Sequence, residues 1–181
     1  MKVLGAAAIF CYATHAGFHV LHGRPEDVLW ACHLGAFIVG IGLLVPSPAV
    51  NAIGTFWLCY GTPLWLVDLA TGGEFFPTSI FTHVIALGIG ILGCIKLGVP
   101  KNVWWKAIIA AVALILISRL VTPAQANVNL AFSVPATSKN QITSHLGYLG
   151  IMIGIASLYF FVLEWAFRRW LAPPQARKEG S

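Results

Sequence analysis

The chain has 181 residues, of which 58% are hydrophobic and only 9% charged, and its formal net charge is +5. A soluble domain carries about 25% charged residues, so this composition excludes an ordinary water-soluble protein and predicts an integral membrane protein. The positive charge does not indicate a nucleic-acid-binding protein. The basic residues lie at the ends of apolar segments and form no patch interleaved with aromatic residues.

Six apolar segments approach the length of about 20 residues that spans a bilayer. Proline, glycine and threonine residues mark the breaks between them. The segments cover residues 3–22, 27–45, 50–69, 78–97, 102–121 and 144–167. The sequence therefore predicts an all-α, polytopic bundle of six transmembrane helices within residues 1–171. Residues 172–181 are rich in proline and charge, which predicts a disordered tail.

Lysine and arginine residues fall mostly on one side of this arrangement. With the N-terminus inside, the cytoplasmic side holds Lys2, Lys96, Lys101, Lys106, Arg168, Arg169, Arg177 and Lys178. The outer side then holds Arg24, Arg119 and Lys139. Cytoplasmic loops are enriched in these residues. We therefore predict a multi-pass protein of a bacterial-type inner membrane, with both termini and the tail in the cytoplasm.

The histidines are concentrated in the predicted outer half of the bundle. The first three are spaced i, i+4 and i+7, which places them on one face of the first helix, and the others lie near the outer ends of later helices. They are His15, His19, His22, His33, His83 and His145. Ionisable groups are costly within a membrane, so this layer predicts a shared functional site. His22, at the water boundary, is expected to contribute least.

One interpretation of this layer is nucleophilic catalysis. Cys32 is the only cysteine at this depth, and a thiol beside an imidazole can lose its proton and attack an ester or thioester. We expect His83 to be the base and Asp68 to orient it, as the third member of a catalytic triad does. A site that opens into a bilayer favours a membrane lipid as substrate. This interpretation predicts acyl transfer or hydrolysis on a lipid, without a cofactor.

Several short motifs are similar to those of a known family. Phe56-Trp57, Gly61 and Leu64-Trp65-Leu66 are followed by Phe75-Phe76-Pro77, and the segment before the last helix carries Asn127-Val128-Asn129-Leu130 and Pro135-Ala136. Together with Cys32 and His83, these motifs resemble the bacterial YwaF-like integral membrane proteins over residues 27–165.

Animal relatives of that family include a transmembrane phospholipid acyltransferase. The resemblance therefore implies lipid acyl chemistry, with Cys32 and His83 as the catalytic pair and Asn127 and Asn129 at the site. The family carries a proline and a histidine just before the cysteine, where this chain has Val28 and Trp30. The full set of residues expected to line the substrate site is His33, His145, Asn127, Asn129, Trp65 and Arg119.

Two other interpretations stay open. Neutral imidazoles are common ligands for zinc, copper and iron, so the histidines could serve a metal-dependent oxidoreductase or a haem-binding protein. Its expected ligands are His15, His19, His33, His83 and His145. Alternatively, the chain is a non-enzymatic subunit of a larger membrane complex. The sequence does not distinguish a homo-oligomer from such a complex, and no nucleic-acid partner is expected.

Overall fold

The computed structural model describes residues 1–135 and 142–171, and within these ranges every regular element is helical. The main helices are α1 (Lys2–Leu21), α2 (Ala31–Leu44), α3 (Pro48–Ala70), α4 (Leu87–Leu97), α5 (Val103–Val121) and α6 (His145–Ala166). The π-helical turn Phe81–Ala86 leads into α4, and the π-helical turn Phe167–Leu171 extends α6. The predicted tail, residues 172–181, and Lys139 lie outside the described residues.

Within the described ranges, three helical stretches are long and apolar enough to cross a membrane: Lys2–Leu21, Val103–Val121 and His145–Leu171. Ala31–Leu44 and Phe81–Leu97 are apolar but shorter. The prediction of an all-helical chain is thereby confirmed for the described residues, and these three stretches have the length and composition of membrane-spanning helices.

The second helix differs in extent from its prediction. The segment was expected to be helical from residue 27, but Pro25–Leu29 forms a separate 3-10 turn, and α2 contains only 14 residues. At 1.5 Å per residue, α2 is about 21 Å long, less than the hydrocarbon thickness of about 30 Å.

Glycines bring α1, α2 and α3 into close contact. A Cβ added to Gly54 of α3 would lie 2.6 Å from the carbonyl oxygen of Gly35 in α2, and one added to Gly40 of α2 would lie 2.9 Å from that of Gly5 in α1. Small residues allow this approach of backbones, which is how helices associate in a membrane. These three helices therefore form the tightly packed half of the bundle.

A proline inside α3 leaves a backbone carbonyl free for a hydrogen bond from α6. Pro63 has no N–H with which to bond the carbonyl of Cys59, one turn earlier. The hydroxyl of Tyr159 in α6 donates to this carbonyl oxygen at 2.9 Å. The proline thus frees an acceptor that a side chain of another helix satisfies.

The alternating direction of the helices places several helix ends on the same side of the bundle. The C-terminal ends of α1, α3 and α5 lie with the N-terminal ends of α2 and α6 and with the π-helical turn before α4. Because α1 contacts both α2 and this turn, His15 meets His33 of α2 and Thr78, which lies three residues before the turn.

Candidate active site and histidine cluster

A cavity of about 720 Å³ lies at this end of the bundle. It is bordered by residues of α1, α2, α3, α5 and α6 and by His83 of the π-helical turn before α4. Its polar part is bordered by His15, His19, Asp27, Cys32, His33 and His83. Its apolar part is bordered by Ile108, Val112, Ile115, Met152, Ile153 and Phe160. The cavity is within the size range of small-molecule binding sites and is polar at one end only. Its shape and lining suit an amphiphilic ligand.

Three histidines from two helices converge beside this cavity. Nε2 of His15 lies 3.0 Å from Nε2 of His33 and 3.3 Å from Nε2 of His19. All three side chains are buried. His15 and His19 are one turn apart on α1, whereas His33 reaches them from the first turn of α2. We call this group the histidine cluster.

The outer nitrogens of the histidine cluster each have a polar neighbour. Nδ1 of His33 donates to the backbone carbonyl of Asp27 at 2.7 Å, and Nδ1 of His15 lies 2.8 Å from Oγ1 of Thr78. Nδ1 of His19 lies 3.3 Å from Oδ2 of Asp27, which also lies 2.7 Å from Nε of Arg24. The contact with Arg24 is an ion pair, and neither contact of Oδ2 has hydrogen-bond alignment. The three rings are therefore fixed from outside with their Nε2 atoms facing one another.

Cys32 and His83 lie next to the histidine cluster. The Cys32 sulfur and ring nitrogens of His33 and His83 are all within 4.8 Å of one another. The ring of His83 is stacked on that of Trp65 with a centroid distance of 4.6 Å and an angle of 3°. The structure therefore brings together the thiol and the imidazole that the sequence analysis paired.

Thr62 is the side chain that orients His83. Its hydroxyl donates to the backbone carbonyl of His83 at 3.2 Å, which leaves its oxygen as an acceptor for Nδ1 of the ring at 3.4 Å. This arrangement favours the tautomer with the proton on Nδ1 and the lone pair on Nε2. Asp68, expected in the orienting role, is exposed at the end of α3 and lies against Gly73, although it borders the cavity.

The remaining expected site residues have other contacts. His22 is exposed and stacked on Phe18, and Nε2 of His145 donates to the carbonyl of Leu130 at 2.9 Å. Arg119 donates to the carbonyl of Ala131, and Asn127 accepts from the backbone N–H groups of Phe132 and Ser133. These four side chains thus organise their own turns and the loop before α6.

Asn129 borders the cavity and fixes the start of α2. Its Oδ1 accepts from the N–H of Ala31, and its Nδ2 donates to the carbonyl of Leu29 and to the hydroxyl of Ser118. Through these bonds the loop after α5 holds the turn from which Cys32 and His33 project. Asn129 therefore supports the site from the loop side.

Sequence reasoning missed Asp27, Thr62 and Thr78. The sequence analysis assigns no role to Asp27, although a carboxylate six residues before a helical histidine in so apolar a chain is a usable signal. Thr62 gave no signal, because a threonine hydroxyl within a helix usually bonds to its own backbone. Thr78, in the turn that precedes the next helical element, gave none either. Their roles depend on which helices are neighbours.

Comparisons of the chain with protein-family models, with curated proteins and with solved structures gave no significant match. The resemblance to the YwaF-like proteins therefore stays a prediction, and the site is interpreted from its own geometry.

Proposed function

We propose that the chain is a multi-pass enzyme of a bacterial-type inner membrane that transfers or hydrolyses the acyl group of a lipid, with Cys32 as nucleophile and His83 as base. The observation that carries this proposal is the proximity of a thiol and an imidazole, within 4.8 Å, at the polar end of a cavity whose other end is apolar. A lipid presents the same polarity, with an ester beside a hydrocarbon chain.

The proposed reaction has two steps. Nε2 of His83 takes the proton of the Cys32 thiol, the sulfur attacks the ester carbonyl carbon, and the carbon–oxygen bond breaks. The departing alcohol receives the proton from His83, and the acyl group stays on sulfur as a thioester. A second alcohol or a water molecule then gives its proton to His83 and attacks the thioester, and the released thiolate takes that proton back.

The proposed topology places this chemistry near the outer face. It has six spans, including the short α2 and Phe81–Leu97, with both termini in the cytoplasm. Its support is the distribution of charge: Lys2, Lys96 and Lys101 lie at one end of the bundle and the histidine cluster at the other.

A thiol-reactive probe and a lipid assay test the proposal together. An alkyl iodoacetamide is expected to label Cys32 in the wild type and to leave Cys32→Ser unlabelled at that site. With a fluorescent phospholipid, the wild type should form an acyl-enzyme that neutral hydroxylamine cleaves. The variant His83→Gln should lose about 100-fold to 10,000-fold in rate, the usual effect of losing a general base.

Cys59→Ser is the matched control, because Cys59 is a half-buried helical cysteine outside the cavity lining. It should retain both acyl-enzyme formation and turnover. Turnover that survives Cys32→Ser at the wild-type rate would contradict the proposal, as would an acyl group attached to any other residue.

A further inference from the structure

We propose that His15, His19 and His33 form a binding site for one divalent transition-metal ion, of which zinc is the best match. This inference is independent of the proposed acyl chemistry, since it concerns different side chains and a different kind of ligand. It rests on the direction of the ring nitrogens in the histidine cluster, argued in the next three paragraphs.

The polar contacts of the outer nitrogens indicate where the ring protons lie. A backbone carbonyl can only accept, so Nδ1 of His33 carries its proton, and Nε2 of the neutral ring presents a lone pair. The carboxylate of Asp27 beside Nδ1 of His19 favours the same tautomer there. Two lone pairs are therefore directed at Nε2 of His15, which lies 3.0 and 3.3 Å away.

A cation between the three Nε2 atoms satisfies this arrangement. A shared proton on His15 can bond to two lone pairs, but a metal ion bonds to all three. The hydroxyl of Thr78 can donate or accept, so it suits His15 in either tautomer. The cluster can thus bind a metal ion when the proton of His15 moves from Nε2 to Nδ1, where the Thr78 oxygen accepts it in a hydrogen bond, and the outer contacts are kept.

The spacing of the nitrogens matches zinc. With zinc–nitrogen bonds of about 2.05 Å in a tetrahedral site, two ligand nitrogens lie about 3.3 Å apart. Two of the three Nε2 separations, 3.0 and 3.3 Å, are close to this value, and one ring nitrogen of each histidine lies within 4.8 Å of the others. Three protein ligands leave a fourth position for water or substrate, as in catalytic zinc sites. The cavity borders all three histidines, so the fourth position has room.

Asp27 completes the site as a positioning residue. Its backbone carbonyl accepts a hydrogen bond from His33, the kind of outer bond that orients metal-binding imidazoles, and its carboxylate lies 3.3 Å from Nδ1 of His19. Arg24 pairs with this carboxylate and also lies 3.7 Å from Glu74. The nearby charges from Asp27, Glu74 and Arg24 sum to one negative unit, which favours a divalent cation.

Zinc uptake by the purified full chain tests the inference. Chelator-treated protein is equilibrated with Zn²⁺, dialysed and measured for zinc content. The wild type should hold about one zinc per chain. His15→Gln, His19→Gln and His33→Gln should each lose most of it, and Asp27→Asn should bind about 10-fold to 100-fold more weakly. Zinc should also raise the melting temperature of the wild type and not of the three histidine variants.

His22→Gln and His145→Gln are the matched controls, because these histidines belong to the same end of the bundle but lie outside the histidine cluster. Both should retain full zinc content. If a histidine variant does not fold, the metal site is tested by the visible absorption spectrum of the wild type loaded with Co²⁺. Bands of a four-coordinate site support the inference, and a six-coordinate spectrum or no uptake overturns it.

Cys32→Ser separates this inference from the proposed function. It should abolish acyl-enzyme formation and leave zinc content unchanged. A wild type that turns over lipid but binds no zinc would overturn the metal site alone. A wild type that binds zinc but never acylates Cys32 would overturn the acyl chemistry alone.

Discussion

At the scale of single residues, Asn129 shows how much of the site depends on a side chain that performs no chemistry. It has a left-handed backbone conformation, with φ of 54°, which asparagine tolerates better than most residues. This conformation lets the side chain reach two backbone groups at the start of α2 and the hydroxyl of Ser118. One amide thereby joins the loop after α5 to the turn that positions Cys32.

Replacing Asn129 by alanine should destabilise the protein and loosen the start of α2. The variant leaves half-buried backbone groups of Leu29 and Ala31 without these partners, at a cost of about 1–3 kcal/mol per unsatisfied group. Thermal unfolding should show a lower melting temperature, and hydrogen exchange should increase over residues 29–34. Asn129→Asp keeps the acceptor for the N–H of Ala31 but lacks the donor. Its melting temperature should therefore lie between those of the wild type and Asn129→Ala. A melting temperature equal to that of the wild type would show that Asn129 does not support this turn.

At the scale of elements, the contact between α2 and α3 sets the position of Cys32. Gly54 meets the backbone of Gly35 and Val39, and a Cβ added to Gly61 would lie 2.6 Å from Cβ of Cys32. The two helices can thus lie this close because the glycines at their contact have no side chains. Thr62 and Trp65 of α3 contact His83 in the π-helical turn before α4.

Gly54→Ala should destabilise the bundle by about 1–3 kcal/mol, the usual cost of overpacking a well-packed core. The added methyl group would lie 2.6 and 2.7 Å from backbone atoms of α2, which cannot move aside as a flexible side chain can. Gly150→Ala in α6 is the matched control, because an added Cβ there meets nothing within 4 Å. It should be neutral or stabilising by up to about 1 kcal/mol, since alanine favours helix over glycine. Thermal unfolding in detergent measures both, and equal stabilities would argue against close packing of α2 and α3.

At the scale of the whole molecule, orientation in the membrane decides which compartment reaches the site. Glu74 lies at the end of the bundle that carries the histidine cluster, and Lys101 lies at the opposite end. Both residues are exposed, so they can report the side on which each end is found.

In intact cells, Glu74→Cys should react with a membrane-impermeant maleimide, whereas Lys101→Cys should react only after permeabilisation. The reason is the excess of lysine and arginine at the end that includes Lys101, which favours the cytoplasm. The wild type, with its four native cysteines, gives the background. The reverse labelling pattern would place the site on the cytoplasmic side.

Most of the helical segments could be predicted from the sequence, because the bilayer restricts which structures can span it. A membrane helix must satisfy its backbone internally and present apolar side chains to lipid, so hydropathy alone identifies most of the helical segments. The start of the second helix was missed because Trp30, with ψ of 135°, interrupts the helix, and the flanking backbone groups bond to Asn129, which is far away in the sequence. Sequence patterns also predicted a polar layer at one end of the bundle.

Sequence alone determined that this is an apolar, helical chain with its histidines gathered near one end, because those properties depend only on composition and local spacing. Tertiary structure decided which of these side chains meet. His15, His19 and His33 converge, and His83 approaches Cys32, while His22 and His145 have local partners. The physical reason is that the rotation and separation of each helix depend on packing contacts far apart in the sequence, such as that of Gly54 with Gly35.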